Sequence, residues 1–242
     1  MTSQPRPTPV PRSRPLVLLD LDGTLMNSAP GVLSSVRAAY AHLGMPAPTE
    51  AAMRTFIGPP IGHSFPAHGV AAENLADAIA VYNEHFGRVG VWDTTVFDGI
   101  PEALRTLREA GALLVVATAK PATWALPICA EVGLTPLLDA VVGAPDDESE
   151  SKGQIMGRAL AWVREHTGVA HDPARTVMVG DREHDVEGAH EHGIACVGVA
   201  WGYGGEDELR RTGAAEVVHD VADLAPRLLD RLGLTDAGRR TA

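Results

Sequence analysis

The 242-residue chain is poor in cysteine, with only Cys129 and Cys196, each in an apolar stretch. Two thiols so placed exclude a disulfide framework and suit a reducing compartment, so a cytoplasmic location is expected. Long hydrophobic runs are also missing. None approaches the roughly 20 apolar residues of a membrane span, so no membrane association is expected. The first 14 residues carry arginines and prolines but no apolar core, which excludes a signal peptide and reads as a disordered leader. Positive charge is short as well. A net charge of −11 leaves no basic footprint for nucleic acid. It does not exclude an anionic small molecule, because a metal or a few lysines can reverse the local field. Internal repeats are absent, and residues 26–95 contain no lysine.

What is present is ordinary globular composition, 45% hydrophobic and 21% charged, enough for one large domain or slightly more. Short apolar runs recur at residues 16–19, 113–117, 176–179 and 195–199, with a weaker one at 140–142. None alternates polar with apolar, so each reads as a strand buried on both faces, as in a parallel sheet. Helical stretches lie between them. Residues 100–110 begin near Pro101 and stop at Gly111, the usual asymmetry of helix ends. Residues 123–132, 154–167 and 185–192 each stop at a glycine. Strand–helix alternation with short links predicts an α/β fold with a doubly wound parallel, Rossmann-like sheet.

Residues 29–90 break the alternation. Three amphipathic stretches follow one another with no convincing strand between them. They read as a helical insertion whose two chain crossings, at 26–28 and about 91–96, lie side by side as a hinged cap requires. The expected division is a core of residues 15–27 and 95–242 and a cap of residues 28–94.

Open parallel sheets bind ligands beyond the carboxyl ends of their strands. Those ends carry Asp20, Leu21 and Asp22, then Thr118, Ala119 and Lys120, then Gly180 and Asp181, with Asp185 shortly after. Lys152 precedes a helix. Three acids, a hydroxyl and one or two lysines thus gather at one rim. Mg²⁺ suits such a rim, being a hard cation that takes a few carboxylates and keeps room for waters and phosphate oxygens.

In order, "DLDGT", Thr118, Lys152 and "GDREHD" resemble the four motifs of the haloacid dehalogenase-like superfamily. The resemblance covers residues 15–225, and the insertion is similar to that superfamily's small α-helical cap. "FIGPPIGHSF" and "GVAWGYGGEDEL" resemble its phosphoglycolate-phosphatase-like branch. The resemblance implies a Mg²⁺-dependent phosphatase of a small phosphomonoester, such as phosphoglycolate, a nucleoside monophosphate or a sugar phosphate. Asp20 is then the nucleophile that becomes an aspartyl phosphate. Asp22 is the acid for the leaving alkoxide and then the base for water. Thr118, with backbone N–H groups near Leu21, Gly23 and Ala119, binds the phosphoryl oxygens. Lys152 neutralises that group and holds Asp20. The metal falls to Asp20, the backbone carbonyl of Asp22, Asp181 and, through water or the lysine, Asp185.

Alternatives stay open at this stage. A phosphomutase shares Asp20 and Asp22, and a binding protein could keep the fold without the chemistry. A phosphonatase would want a cap lysine, which is lacking. In the cap, Arg54, His63 and Phe65 are candidate lid contacts that read the leaving group. Lys120 either touches substrate or caps a helix. Arg182, Glu183 and the acidic run at Asp146, Asp147, Glu148 and Glu150 read as solvated loops. His190 and His192 are two apart and face differently, so a helical metal pair is not expected. Trp124 faces either cap or core. Trp201 and Tyr203 either line the cleft or pack a loop. The chain is a monomer or a homodimer.

Overall fold

A computed structural model describes residues 13–235; the expected leader lies almost wholly outside the described residues. Six parallel strands form the sheet: β1 (Leu16–Leu19), β4 (Leu113–Pro121), β5 (Ala140–Ala144), β6 (Thr176–Gly180), β7 (Ala195–Val199) and β8 (Glu216–Val218). Their order is β5-β4-β1-β6-β7-β8. The chain winds outward on both sides of β1, so the switch point that opens a crevice lies at the end of β1. β8 is only three residues long and begins with a glutamate, which is why its sequence does not announce a strand.

Every residue of β1 is fully buried. Val17 and Leu19 face one apolar layer with Leu114, Val116, Val177 and Val179. Leu16 and Leu18 face the other with Val115, Met178, Ile155 and Met156. That two-sided burial explains the uninterrupted apolar runs. α5 (Ile100–Glu109) and α10 (Val221–Arg231) pack together on the first face, with α6 (Ala122–Glu131) beside β5. α7 (Lys152–Thr167), α8 (Glu183–Glu191) and α9 (Glu206–Thr212) cover the second. Ser151 caps α7 with a reciprocal bond to Gln154, which fixes Lys152 in the first turn.

The insertion is helical as expected: α1 (Ala29–His42), α2 (Glu50–Arg54), α3 (Ile61–Ala67) and α4 (Ala72–Arg88). Its two crossings pair as a minimal antiparallel ribbon, β2 (Met26–Asn27) with β3 (Thr95–Val96). An aromatic cluster of Tyr40, Phe56, Phe65, Tyr82 and Phe86 fills its interior. Trp124 of α6 meets Phe86 edge-on at 5.8 Å, so this tryptophan faces the insertion. No helix among the described residues is long and apolar enough to cross a membrane.

Candidate active site

β1 stops where its pairing stops. The Asp20 N–H still reaches Val179 O at 2.9 Å, and the chain then coils tightly, with Leu21 O accepting from Leu25 and Met26. Gly23 sits at φ +82°, and a Cβ there would overlap the Asp181 carboxylate and the Tyr203 ring. Glycine is demanded here both by backbone sign and by close approach. The Gly23 N–H donates to Met26 O at 2.8 Å. In this arrangement that N–H is engaged within the loop.

Two lysines make three ion pairs at the strand ends. Lys152 Nζ bonds Asp20 Oδ1 and reaches Asp185 Oδ1 at 2.8 Å. Lys120 Nζ lies 3.0 Å from Asp22 Oδ2 and 4.8 Å from the centre of the Phe86 ring. These are the chain's only two lysines. That scarcity is the sequence signal that would have ranked Lys120 higher; the helix-capping alternative for its ammonium is displaced by the Asp22 pair. Asp22 Oδ1 is buried and has no hydrogen-bond partner among the described residues. Asp181 accepts from Thr24 Oγ1 at 3.2 Å and from the Tyr203 N–H at 2.7 Å. Asp185 Oδ2 accepts from the Arg182 N–H at 3.1 Å.

The donor set fits a hard cation. Asp20, Asp181 and Asp185 each offer a carboxylate oxygen within 4.8 Å of the others, all three buried. A single ammonium, Lys152, serves that cluster directly. Burial therefore dominates and pushes Asp181 up to about 8, with Asp185 and Asp20 adding to the rise. Burial likewise raises Asp20 to about 6, although Lys152 pulls it down. Carboxyls so raised lack a compensating positive charge, which a divalent ion would provide. The Asp22 carboxylate stands apart from this cluster, with Lys120.

A cleft of about 570 Å³ joins these groups, lined by Asp20, Asp22, Thr118, Ala119, Lys120, Lys152 and Asp185 from the sheet side. Gly58, Pro59, Pro60 and His63 of the insertion close its top. His63 is thus the cap candidate that reaches the cleft. Phe65 does not: it is fully buried in the aromatic cluster. Arg54 does not either; its side chain is exposed beside Glu50, 3.5 Å away.

Two residues read as solvated loop instead bind the insertion to the core. Arg182 donates to Ile57 O at 2.7 Å while pairing with Glu208 at 2.9 Å. Glu148 accepts the Ile61 N–H at 2.9 Å and has φ +51°, the one positive value outside glycine among the described residues. Trp201 and Tyr203 pack a loop: the indole donates to Thr24 O, and the phenol reaches the start of α1. His192 bonds Gly153 O, a packing role, and the described residues hold no histidine metal cluster.

Residues 17–199 match the family model described as haloacid dehalogenase-like hydrolase. The tyrosine-protein kinase PtkA of Mycobacterium tuberculosis is 40% identical over 205 residues, 84% of this chain and 68% of that protein. A 5'-nucleotidase of Pseudomonas aeruginosa is 38% identical over 212 residues, covering 87% and 92%. Among solved structures, one described as a predicted phosphatase from Clostridium acetobutylicum superposes with a TM-score of 0.81 at 32% identity, covering 90% and 99%.

Proposed function

The chain belongs to the haloacid dehalogenase-like hydrolases, and from that premise we propose that it hydrolyses a small phosphomonoester through a phosphorylated Asp20, with Mg²⁺ as cofactor. Its class is phosphoric monoester hydrolase. The observation that carries the detailed reading is the meeting of Asp20, Asp22, Thr118 and Lys152 on one cleft.

In this reading an Asp20 carboxylate oxygen forms a bond to phosphorus as the bond from phosphorus to the leaving oxygen breaks. Asp22, which lines the cleft, gives that oxygen its proton. Water then attacks the phosphoaspartate, Asp22 takes the water's proton, and inorganic phosphate leaves with Asp20 restored. Lys152 keeps Asp20 aimed and offsets the charge of the incoming dianion. Thr118, buried in β4 at its last pair with β5 before the register shifts, binds a phosphoryl oxygen. Asp20, Asp181 and Asp185 would hold Mg²⁺, which when bound supplies further neutralisation of phosphoryl charge. The helical insertion of residues 28–94 acts as a cap, and His63 and Lys120 read the leaving group from its two sides. Phosphoglycolate, nucleoside monophosphates and sugar phosphates are the substrates to compare.

The test is a screen of phosphomonoesters with Mg²⁺, coupled to acid quenching of radiolabelled substrate. Inorganic phosphate and an acid-trapped acyl phosphate that is lost in Asp20→Asn support the reading. Rearranged phosphate esters would instead identify a mutase. Label passing from ATP to a tyrosine peptide, with no release to water, would favour the chemistry named for the mycobacterial relative.

A further inference from the structure

The loop after β7 carries Trp201, Gly202, Tyr203 and Gly204, and it does not reach the cleft. It runs instead from the acid cluster to the hinge. At one end the Tyr203 N–H donates to Asp181 Oδ2 at 2.7 Å. At the other its hydroxyl accepts from the Ser28 and Ala29 N–H groups at 2.8 and 3.0 Å and donates to Asn27 Oδ1 at 2.9 Å. Asn27 belongs to β2, and Ala29 begins α1, so one side chain grips the point where the chain leaves the core. Trp201 Nε1 adds a bond to Thr24 O at 3.1 Å, and Thr24 Oγ1 returns to the other oxygen of Asp181.

The connection has little slack. A Cβ at Gly202 would overlap the Asp181 side chain, and one at Gly204 would overlap the Asp181 backbone carbonyl. A Cβ at Gly23 would meet both Asp181 and the Tyr203 ring. Close packing of this kind passes a displacement on instead of absorbing it. Each Asp181 oxygen accepts one of these bonds and keeps a second lone pair, so a cation can take Asp181 while Tyr203 and Thr24 stay bonded to it. A cation that fixes Asp181 thereby fixes the strap, and its far end is the hinge.

We propose that Tyr203 is a positioning residue that couples occupation of the Asp20–Asp181–Asp185 cluster to the order of the hinge on which the helical insertion moves. This rests on reading that cluster as the cation site. A loaded cluster fixes Asp181, and the strap then holds β2 and the first turn of α1 in the arrangement seen here. An empty cluster leaves the hinge looser, so the cleft is open to exchange before the cation is in place. The coupling is energetic and reciprocal, so hinge order must also favour cation binding.

Hydrogen exchange by mass spectrometry on the full chain tests this without reference to turnover. In the wild type, Mg²⁺ should slow exchange in the segment 26–31 about tenfold, a modest change in local opening. In Tyr203→Phe, which lacks one oxygen, exchange there should be faster and should no longer respond to Mg²⁺, while peptides of β1 and β6 stay protected. Asn27→Ala, which removes the acceptor at the hinge end, should decouple in the same way and guards against a folding defect peculiar to Tyr203→Phe. Calorimetry with Mg²⁺ runs alongside. A wild type that binds Mg²⁺ but shows no change at 26–31 overturns the coupling alone. So does a Tyr203→Phe protein with an undiminished hinge response. A wild type that binds no Mg²⁺ overturns the reading of the cluster and the coupling with it.

Discussion

The strand-end rim and the helical insertion put their candidate functional side chains in place by different means. At the rim, Asp20 and Asp181 directly follow buried parallel strands, and Thr118 is the last residue of β4 in unbroken register with β5, so their positions follow from backbone pairing. In the insertion, short helices pack around an aromatic cluster, and position follows from which face each helix turns inward. The rim is therefore held by hydrogen-bonded register, and the insertion by side-chain packing. Damage at the rim should cost chemistry with little loss of fold. Damage in the insertion should cost order first. Each substitution below tries to make one region behave like the other.

The largest effect expected is Asp20→Asn. Loss of an activated nucleophile typically costs about 10⁴-fold or more in kcat. Phosphate release from an aryl phosphate with Mg²⁺ measures it. The midpoint of thermal unfolding should hold or rise, because the burial that raises Asp20's affinity for protons favours a neutral group there. A variant that unfolds instead would make the rim a packing element. Phe65→Ala comes next. Truncating a fully buried phenylalanine costs about 3–5 kcal/mol. Denaturant unfolding reads the loss, and hydrogen exchange should locate it in residues 29–88 while the sheet stays protected. A cost under about 1 kcal/mol would mean that the aromatic cluster does not organise the insertion.

Cation addition ranks third and carries a sign. Asp181 is raised to about 8 and Asp20 to about 6, both above the ordinary 3.8. The folded chain thus holds protons that the unfolded chain has released. The penalty is absent in acid, where both states are protonated, and grows as pH rises from about 4 to about 8. Cation-free protein should therefore lose stability over that window. Mg²⁺ at a hundredfold its Kd adds about 2.7 kcal/mol, and its affinity should be higher at the alkaline end, where protons no longer compete. Thermal unfolding with and without Mg²⁺ across this range checks it. An equal Mg²⁺ effect at both ends would detach the raised carboxyls from the cation site.

The two regions also differ in how far the sequence exposes them. Leu16–Leu19 is apolar throughout because both faces of β1 are covered, and Asp20 ends the run, so strand, strand end and carboxylate are legible together. The insertion was legible as helices and as a pair of adjacent crossings, because periodicity and glycine stops are local signals. Its contacts were not. Arg182 reaches Ile57 across 125 residues and Glu148 reaches Ile61 across 87, and no local pattern distinguishes these charges from solvated ones. Phe65 has the same character on a helix whether it faces the cleft or the interior. Tyr203 lies among glycines that suggest looseness, whereas those glycines exist to let the loop pack on Asp181.

The smallest effect belongs to Arg54→Ala, and it bears on the comparison as a zero. An arginine on the insertion of an anion-binding enzyme invites a role in substrate recognition. Here it ends α2 with its side chain exposed, and its partner is Glu50, one turn back on the same helix. Such exposed pairs contribute about 0.3–0.5 kcal/mol at most, because water screens the charges and ordering two long side chains costs entropy. Stability should change by less than about 0.5 kcal/mol, and kcat/KM for every substrate in the screen should stay within about twofold. A tenfold selective loss for one substrate would require Arg54 to reach the cleft in a closed state. The face of α2 would then belong to the site, and placement in the insertion would depend on motion as well as on packing.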